Sequence, residues 1–376
     1  MTPPKWSGPI GELMEAADPL PAGPVKMSML EETIRIADSL RDADAGYRIR
    51  RAYIDVAHDC MRIDVYMVTF AWCLAVAEKE PARYSIPDLL NHYHGVLGWV
   101  GNFPHIPRAD FEALFEDVLT KYRAHGLSLR VLYLKRRSVA IDFGDPAMAV
   151  EADGEFRKHR RPDGINPIEW EAGWQLQHDR FLGDEEAAVR TADAFFALSN
   201  RTGRRDAYLA NLSLMPLLHV GRTADAVARY DLGAKPLKLG TGYGWDHADR
   251  LEYLAHTADP RRALREFAAQ LPVALAQTDA LTRFGFWRPA AALLARMEAE
   301  GVREVSLNVP ERLSWYDPQG VYPLAVVSDW ARWEASDIAG QFDRRNGNGY
   351  YRKWLEATSD AVFGGQPRPD RFSGGQ

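Results

Sequence analysis

Apolar residues recur three and four positions apart along most of this chain, the spacing of helices that bury one face. Met27, Leu30, Ile34 and Ala37 share such a face among polar neighbours, which predicts a helix over residues 27–40. The same periodicity predicts helices over 47–61, 64–77, 86–100 and 109–124. It then predicts closely spaced pairs: 128–143 with 146–158, 167–182 with 185–199, 207–220 with 224–232, and 246–256 with 261–276. Strand-type alternation is nearly absent; the stretch Glu304 to Pro310 alone reads as a short strand or extended segment. A last long helix is predicted from Leu324 to Phe342, ending near Asn346-Gly347, where a left-handed cap is easy to form.

A phrase recurs where the first helix of each pair ends: Phe143-Gly144-Asp145, Leu182-Gly183-Asp184, Val220-Gly221-Arg222 and, degenerate, Thr257-Ala258-Asp259. The anchors 144, 183, 221 and 258 are 39, 38 and 37 residues apart. Five residues after each anchor stands an alanine followed by an aliphatic residue: Ala149-Val150, Ala188-Val189, Ala226-Val227 and Ala263-Leu264. A small residue there lets two antiparallel helices approach closely. Asp145, Asp184, Thr223 and Asp259 are suitable N-caps for the second helices, and Pro146 and Pro260 fit the first helical turn, where a missing N–H is harmless. A period of this length is that of stacked helix-turn-helix units.

On this phrase and its interval from glycine to alanine, the region from Tyr47 to Leu293 resembles the tetratricopeptide repeat family. The resemblance implies an all-α fold, a right-handed α-α superhelix whose first helices line a concave groove. Arg137, Leu176, Leu214 and Leu251 stand where the family has a glycine in its first helix, and each unit is longer than the family's, so other α-α solenoids share the pattern. The resulting organisation is a Pro- and Gly-rich flexible lead-in (1–26), a tetratricopeptide-like solenoid (27–301), an aromatic-rich C-terminal capping module (302–363) and a disordered tail (364–376). A cap is required because a terminal repeat otherwise exposes its apolar face.

Composition narrows the function without naming it. A formal charge of −6 and a pI near 6.0 oppose a general nucleic-acid role, which needs a basic footprint. Of the runs Lys135-Arg136-Arg137, Arg157 to Arg161 and Arg201 to Arg205, the second and third read as helix-end charges complementing the helix dipole; aligned on one rim, these runs would instead suit an acidic peptide or RNA. Cys60 and Cys73 read as buried free thiols of a cytoplasmic protein, and neither a secretory signal nor a membrane-spanning run is expected. The histidines around Asn91-His92-Tyr93-His94, with His105, and the segment His58-Asp59-Cys60 do not converge as metal ligands on a helix, so no metal and no cofactor is expected.

Candidate site residues follow from the groove that the resemblance implies. Thirteen residues before the anchors come Trp170, Tyr208 and Trp245, an aromatic ladder that is either a stacking surface or inter-repeat packing. Other offsets, with Gly101 taken as a further anchor, add Trp99, Phe181, His219 and His256, then Arg180, Gln177 and Glu252, then Asn91 and Asn211. These twelve make a mixed polar and aromatic surface suited to an extended segment. No Walker loop, nucleophile elbow or zinc-protease motif occurs. The expectation is a non-enzymatic scaffold or adaptor for a protein or peptide partner; a peptide or small-molecule sensor and an α-α hydrolase or lyase are the alternatives.

Overall fold

The computed structural model describes residues 8–60, 62–161, 168–198, 206–234, 244–257 and 260–364 of the 376-residue chain. Among the described residues it is all-α apart from one two-stranded ribbon. The helices are α1 (Gly8–Ala17), α2 (Pro24–Ser39), α3 (Ala43–Asp59), α4 (Ile63–Lys79), α5 (Ile86–Trp99), α6 (Arg108–Ala124), α7 (Arg130–Asp142), α8 (Pro146–Lys158) and α9 (Ile168–Phe181). They continue with α10 (Glu185–Phe196), α11 (Asp206–Leu212), α12 (Leu214–His219), α13 (Thr223–Ala234), α14 (Gly244–His256), α15 (Pro260–Ala276), α16 (Ala280–Ala299), α17 (Leu324–Asn346) and α18 (Tyr350–Gly364). Among the described residues no helix is long and apolar enough to cross a membrane.

The chain divides into two compact units: Met1–Trp99 with Leu114–Leu127, and Val100–Ala113 with Ser128–Gln376. In the first, α1 to α5 pack in sequence, each on the next. Residues 8–17 lie within the stretch read as a flexible lead-in, yet form α1, because Ile10 and Ala17 bury one face of a short segment. Cys73 is buried, whereas Cys60 caps the end of α3 and stays partly exposed; both thiols are free.

In the second unit the recurring phrase closes hairpins. Gly144, Gly183 and Gly221 all have positive φ, at 60°, 80° and 76°. Each turn makes the two reverse bonds of a Schellman motif: Gly144 N to Ile141 O (2.9 Å) with Asp145 N to Ala140 O (2.9 Å), and the same pattern at 183 and 221. Asp145 and Asp184 then accept the amides of Met148 and Ala187, so one aspartate ends one helix and caps the next. The third hairpin differs: α13 starts at Thr223 itself, placing Arg222 at the cap position, where it pairs with Asp193 and Asp225. The anchor Ala258 and the cap candidate Asp259 lie outside the described residues, as do 201–205 and 240–243. Ala149, Ala188, Ala226 and Ala263 are each fully buried.

The first helices also pack on one another in order, α7 on α9, α9 on α11, α11 on α14 and α14 on α16, while α8, α10, α13 and α15 back them. Arginines occupy this layer. Arg137, 1% exposed, pairs with Asp153, and Arg250 pairs with Glu266 at 2.7 Å; each carboxylate lies 16 residues further on, on the second helix of the hairpin. The single helix expected over 207–220 is two. Pro216 has no N–H to offer the Leu212 carbonyl, so α11 ends there and α12 begins after Ser213. The released carbonyl faces Arg180 Nη1 at 3.5 Å.

Beyond α16, β1 (Glu304–Ser306) pairs antiparallel with β2 (Val321–Pro323), Val305 opposite Tyr322. α17 lies along α16, and α18 contacts α14, α16 and α17. The α17–α18 corner is fastened to the end of α7. Arg345, Asn346 and the Tyr351 hydroxyl all donate to the Asp142 carbonyl, at 2.9, 3.0 and 3.0 Å. Arg345 also reaches Gly101 O, and Asn348 donates to Phe143 O. Asn102 donates to Asp279, the cap of α16, which ties the 100–102 turn to the same body.

Gly144 and Gly221 separate two costs. A Cβ on Gly221 meets open space, whereas one on Gly144 would lie 2.5 Å from Tyr350 Cβ. Gly221→Ala is expected to destabilise by about 1–2 kcal/mol from the left-handed backbone alone. Gly144→Ala should lose roughly twice that because overpacking is added. Urea unfolding at unchanged m-value reads the difference; equal losses would refute the close approach.

Candidate functional site

The first helices present one face whose positions fall 13, 9, 6 and 2 residues before each anchor, a spacing of four, three and four that keeps them on one helical stripe. On α7 these are Val131, Lys135, Ser138 and Asp142; on α9, Trp170, Trp174, Gln177 and Phe181. On α11 and α12 they are Tyr208, Leu212, Met215 and His219; on α14, Trp245, Asp249, Glu252 and His256. The stripe divides into a closed end and an aromatic end.

The closed end is held by buried ion pairs. Glu252 and Arg288 form a two-pronged pair at 2.8 Å on both arms, each side chain 3% exposed, and Arg288 also takes the Thr358 hydroxyl of α18 at 2.5 Å. Arg180 pairs with Asp249 at 2.9 Å. Burial raises the Asp249 carboxyl despite that partner, and it lowers the imidazole of nearby His256. His219 faces Glu185 at 2.9 Å. Phe181 is buried edge-on against Tyr350 of α18, ring centres 5.6 Å apart. Asn211, fully buried, faces Arg250 at 3.4 Å. Arg180, Phe181, Asn211 and Glu252 are therefore engaged by the chain's own residues.

The aromatic end is open to solvent in part. Trp170 and Trp174 are both partly exposed and stack with ring centres 5.4 Å apart. Trp170 meets Tyr208 at 6.0 Å, and Gln177 donates to the Tyr208 hydroxyl at 3.3 Å. Tyr208 itself is buried among Leu176, Ala188 and Phe195, and its ring crosses Gly173 so closely that a Cβ there would lie 2.5 Å away. Lys135 of α7 places its ammonium 4.2 Å from the Trp174 ring centre, and burial pulls its pKa down to about 8. The structure thus brings Trp170, Gln177 and Tyr208 together and adds Lys135 and Trp174, which the offsets used on the sequence passed over. The side chain of Trp245 lies outside the described residues. Asn91 and Trp99 belong to the first unit, where Asn91 is exposed and Trp99 meets the His58 ring at 6.3 Å.

One further group is perturbed. Burial pushes the Asp142 carboxyl up to about 7, against the opposing effect of Arg345 and with a further upward contribution from Asp279. Among the described residues no three His, Cys, Asp or Glu side chains converge as ligands of a metal ion. The arrangement offers stacking, amide hydrogen bonds and one cation. No protein-family model matches this chain, and no curated protein and no solved structure matches it.

Two outcomes separate framework from surface. Glu252→Ala leaves Arg288 buried without that carboxylate and should destabilise by about 3–5 kcal/mol; pairing Glu252→Leu with Arg288→Met should restore most of it. A double-mutant cycle by thermal unfolding checks the coupling. Lys135→Met removes a partly desolvated cation and should stabilise the fold by on the order of 1 kcal/mol at pH 7. The sign follows from the lowered folded-state pKa. Between pH about 8 and the ordinary lysine value of 10.5 the unfolded chain binds more protons, so wild-type stability gains with rising pH there and the variant does not.

Proposed function

We propose that this protein is a non-enzymatic scaffold or adaptor that holds a protein or peptide segment against the first-helix stripe. In this reading α7 to α16 stack as a right-handed, tetratricopeptide-like superhelix, and the stripe lines its concave side. The observation that carries it is the pair Trp170 and Trp174, two large rings stacked on each other and left partly in solvent while neighbouring aromatics are buried. Exposed aromatic anchors beside an amide such as Gln177 suit an extended chain, whose side chains stack while its peptide groups find hydrogen bonds. The two free thiols agree with a cytoplasmic setting. The net charge of −6 argues against nucleic acid as the partner.

A second reading, a sensor of a peptide or small molecule, draws on Phe181. It shares the α9 stripe with Trp174 and touches Tyr350, so occupancy of the stripe has a direct contact to α18.

Two measurements test the proposal. The superhelix should scatter X-rays with a radius of gyration clearly above the about 21 Å of a compact globule of this length. The double variant Trp170→Ala, Trp174→Ala should keep wild-type helicity and lose one protein that the wild type captures from host lysate. Identical captures from both chains would sink the adaptor reading.

A further inference from the structure

The α7–α9 seam shows what chemistry the partner segment must bring. Most of its charged groups have partners. Glu171 pairs with Arg130 at 3.0 Å and with Arg161 at 3.4 Å. Asp153 pairs with Arg137 and Arg157. Asp179 accepts from Gln175 and Thr191, at 2.7 and 3.0 Å. Glu112 holds Arg136. Among the described residues no hydrogen bond or ion pair engages the ammonium of Lys135, which faces the Trp174 ring instead.

A ring face is a weak substitute for a counter-ion, and Lys135 is only partly exposed, so its ammonium gives up part of its hydration as well. Lysine at this place therefore costs stability, and methionine or leucine would pack there without that cost. The three other cations along α7, Arg130, Arg136 and Arg137, each have a carboxylate, so the vacancy is specific to position 135. Lys135 and Trp174 both stand nine residues before their anchors, in adjacent first helices, with Trp170 one turn from Trp174. A cation thus lies beside a flat apolar wall.

We propose that Lys135, Trp174, Trp170 and Gln177 form an acidic-segment recognition site: the ammonium takes an Asp or Glu carboxylate of the partner, and the stacked indoles take an aromatic side chain next to it. This rests on the adaptor reading and specifies its ligand. Gln177 holds the intervening peptide group. The lysine is mostly charged at neutral pH, so the carboxylate completes a charge-assisted ion pair in a partly exposed setting beside the indoles.

The probe is a defined library of eight-residue peptides that pairs each acidic-aromatic sequence with its Asn or Gln counterpart, measured by fluorescence anisotropy. Wild type should bind the acidic peptides at least about tenfold more tightly than the amides. Lys135→Met should abolish that preference while binding the amides as wild type does, and Trp174→Ala should weaken both. Affinity for acidic peptides should fall as pH rises through about 8 and stay flat for the amides. Equal binding of acids and amides by wild type, or a preference that survives Lys135→Met, overturns the lysine assignment and leaves the adaptor reading standing. If no peptide binds, the segment proposal falls. If phenylacetate alone binds, the occupant is a small aromatic acid and the peptide proposal is overturned. Lys135→Met is expected to fold at least as stably as wild type, so a melting curve separates lost recognition from lost structure.

Discussion

A helix cannot reverse direction in three residues unless its last carbonyls find donors, and in L-chains that means one residue in the left-handed region. Gly144, Gly183 and Gly221 provide that residue, and much of the second unit depends on it. With the turn so short, the following helix crosses the first at a fixed rotation, and Ala149, Ala188 and Ala226 of the following helices are fully buried. That crossing fixes the stripe of each first helix relative to its neighbours. Lys135 faces Trp174 because their hairpins turn in the same way at the same distance.

The layer of first helices carries unusually many internal charges. Arg137, Arg180, Arg250 and Arg288 are each less than a tenth exposed, and each has a carboxylate from another helix. Such pairs add little net stability over apolar residues of equal size, because desolvation offsets most of the attraction. Their effect is on selection: a helix rotated by one residue strands an arginine in the core. The spacing of 16 residues shared by Arg137–Asp153 and Arg250–Glu266 repeats one such constraint in two hairpins.

Local chemistry in the sequence carried most of the helix boundaries. Gly144-Asp145 and Gly183-Asp184 announce both the end of one helix and the cap of the next, and those turns form as the residues require. Pro216 was equally visible, but the helix runs on in pattern across it, since Leu214 and Leu217 keep the period; the break shows only once the Leu212 carbonyl is seen to be without its amide. The site was less legible for a different reason. Arg180 and Glu252 look like solvent-facing groove residues until their partners 69 and 36 positions away are known. Trp174 and Lys135 stand nine residues before their anchors, a position that the offsets of thirteen, ten, six, three and two leave out. A step of four from Trp170 would have reached Trp174.

The clasp between the α17–α18 corner and α7 works almost wholly through main-chain oxygens: Asp142 O, Phe143 O and Gly101 O receive Arg345, Asn346, Asn348 and Tyr351. A carbonyl is the same at every residue. The C-terminal segment thus reads mainly the backbone of a turn, and the side-chain demands it adds fall on Phe143, whose ring lies under Arg345, and on Gly144, where a Cβ would meet Tyr350; the rest of the hairpin can drift in sequence over evolutionary time so long as its backbone path is kept.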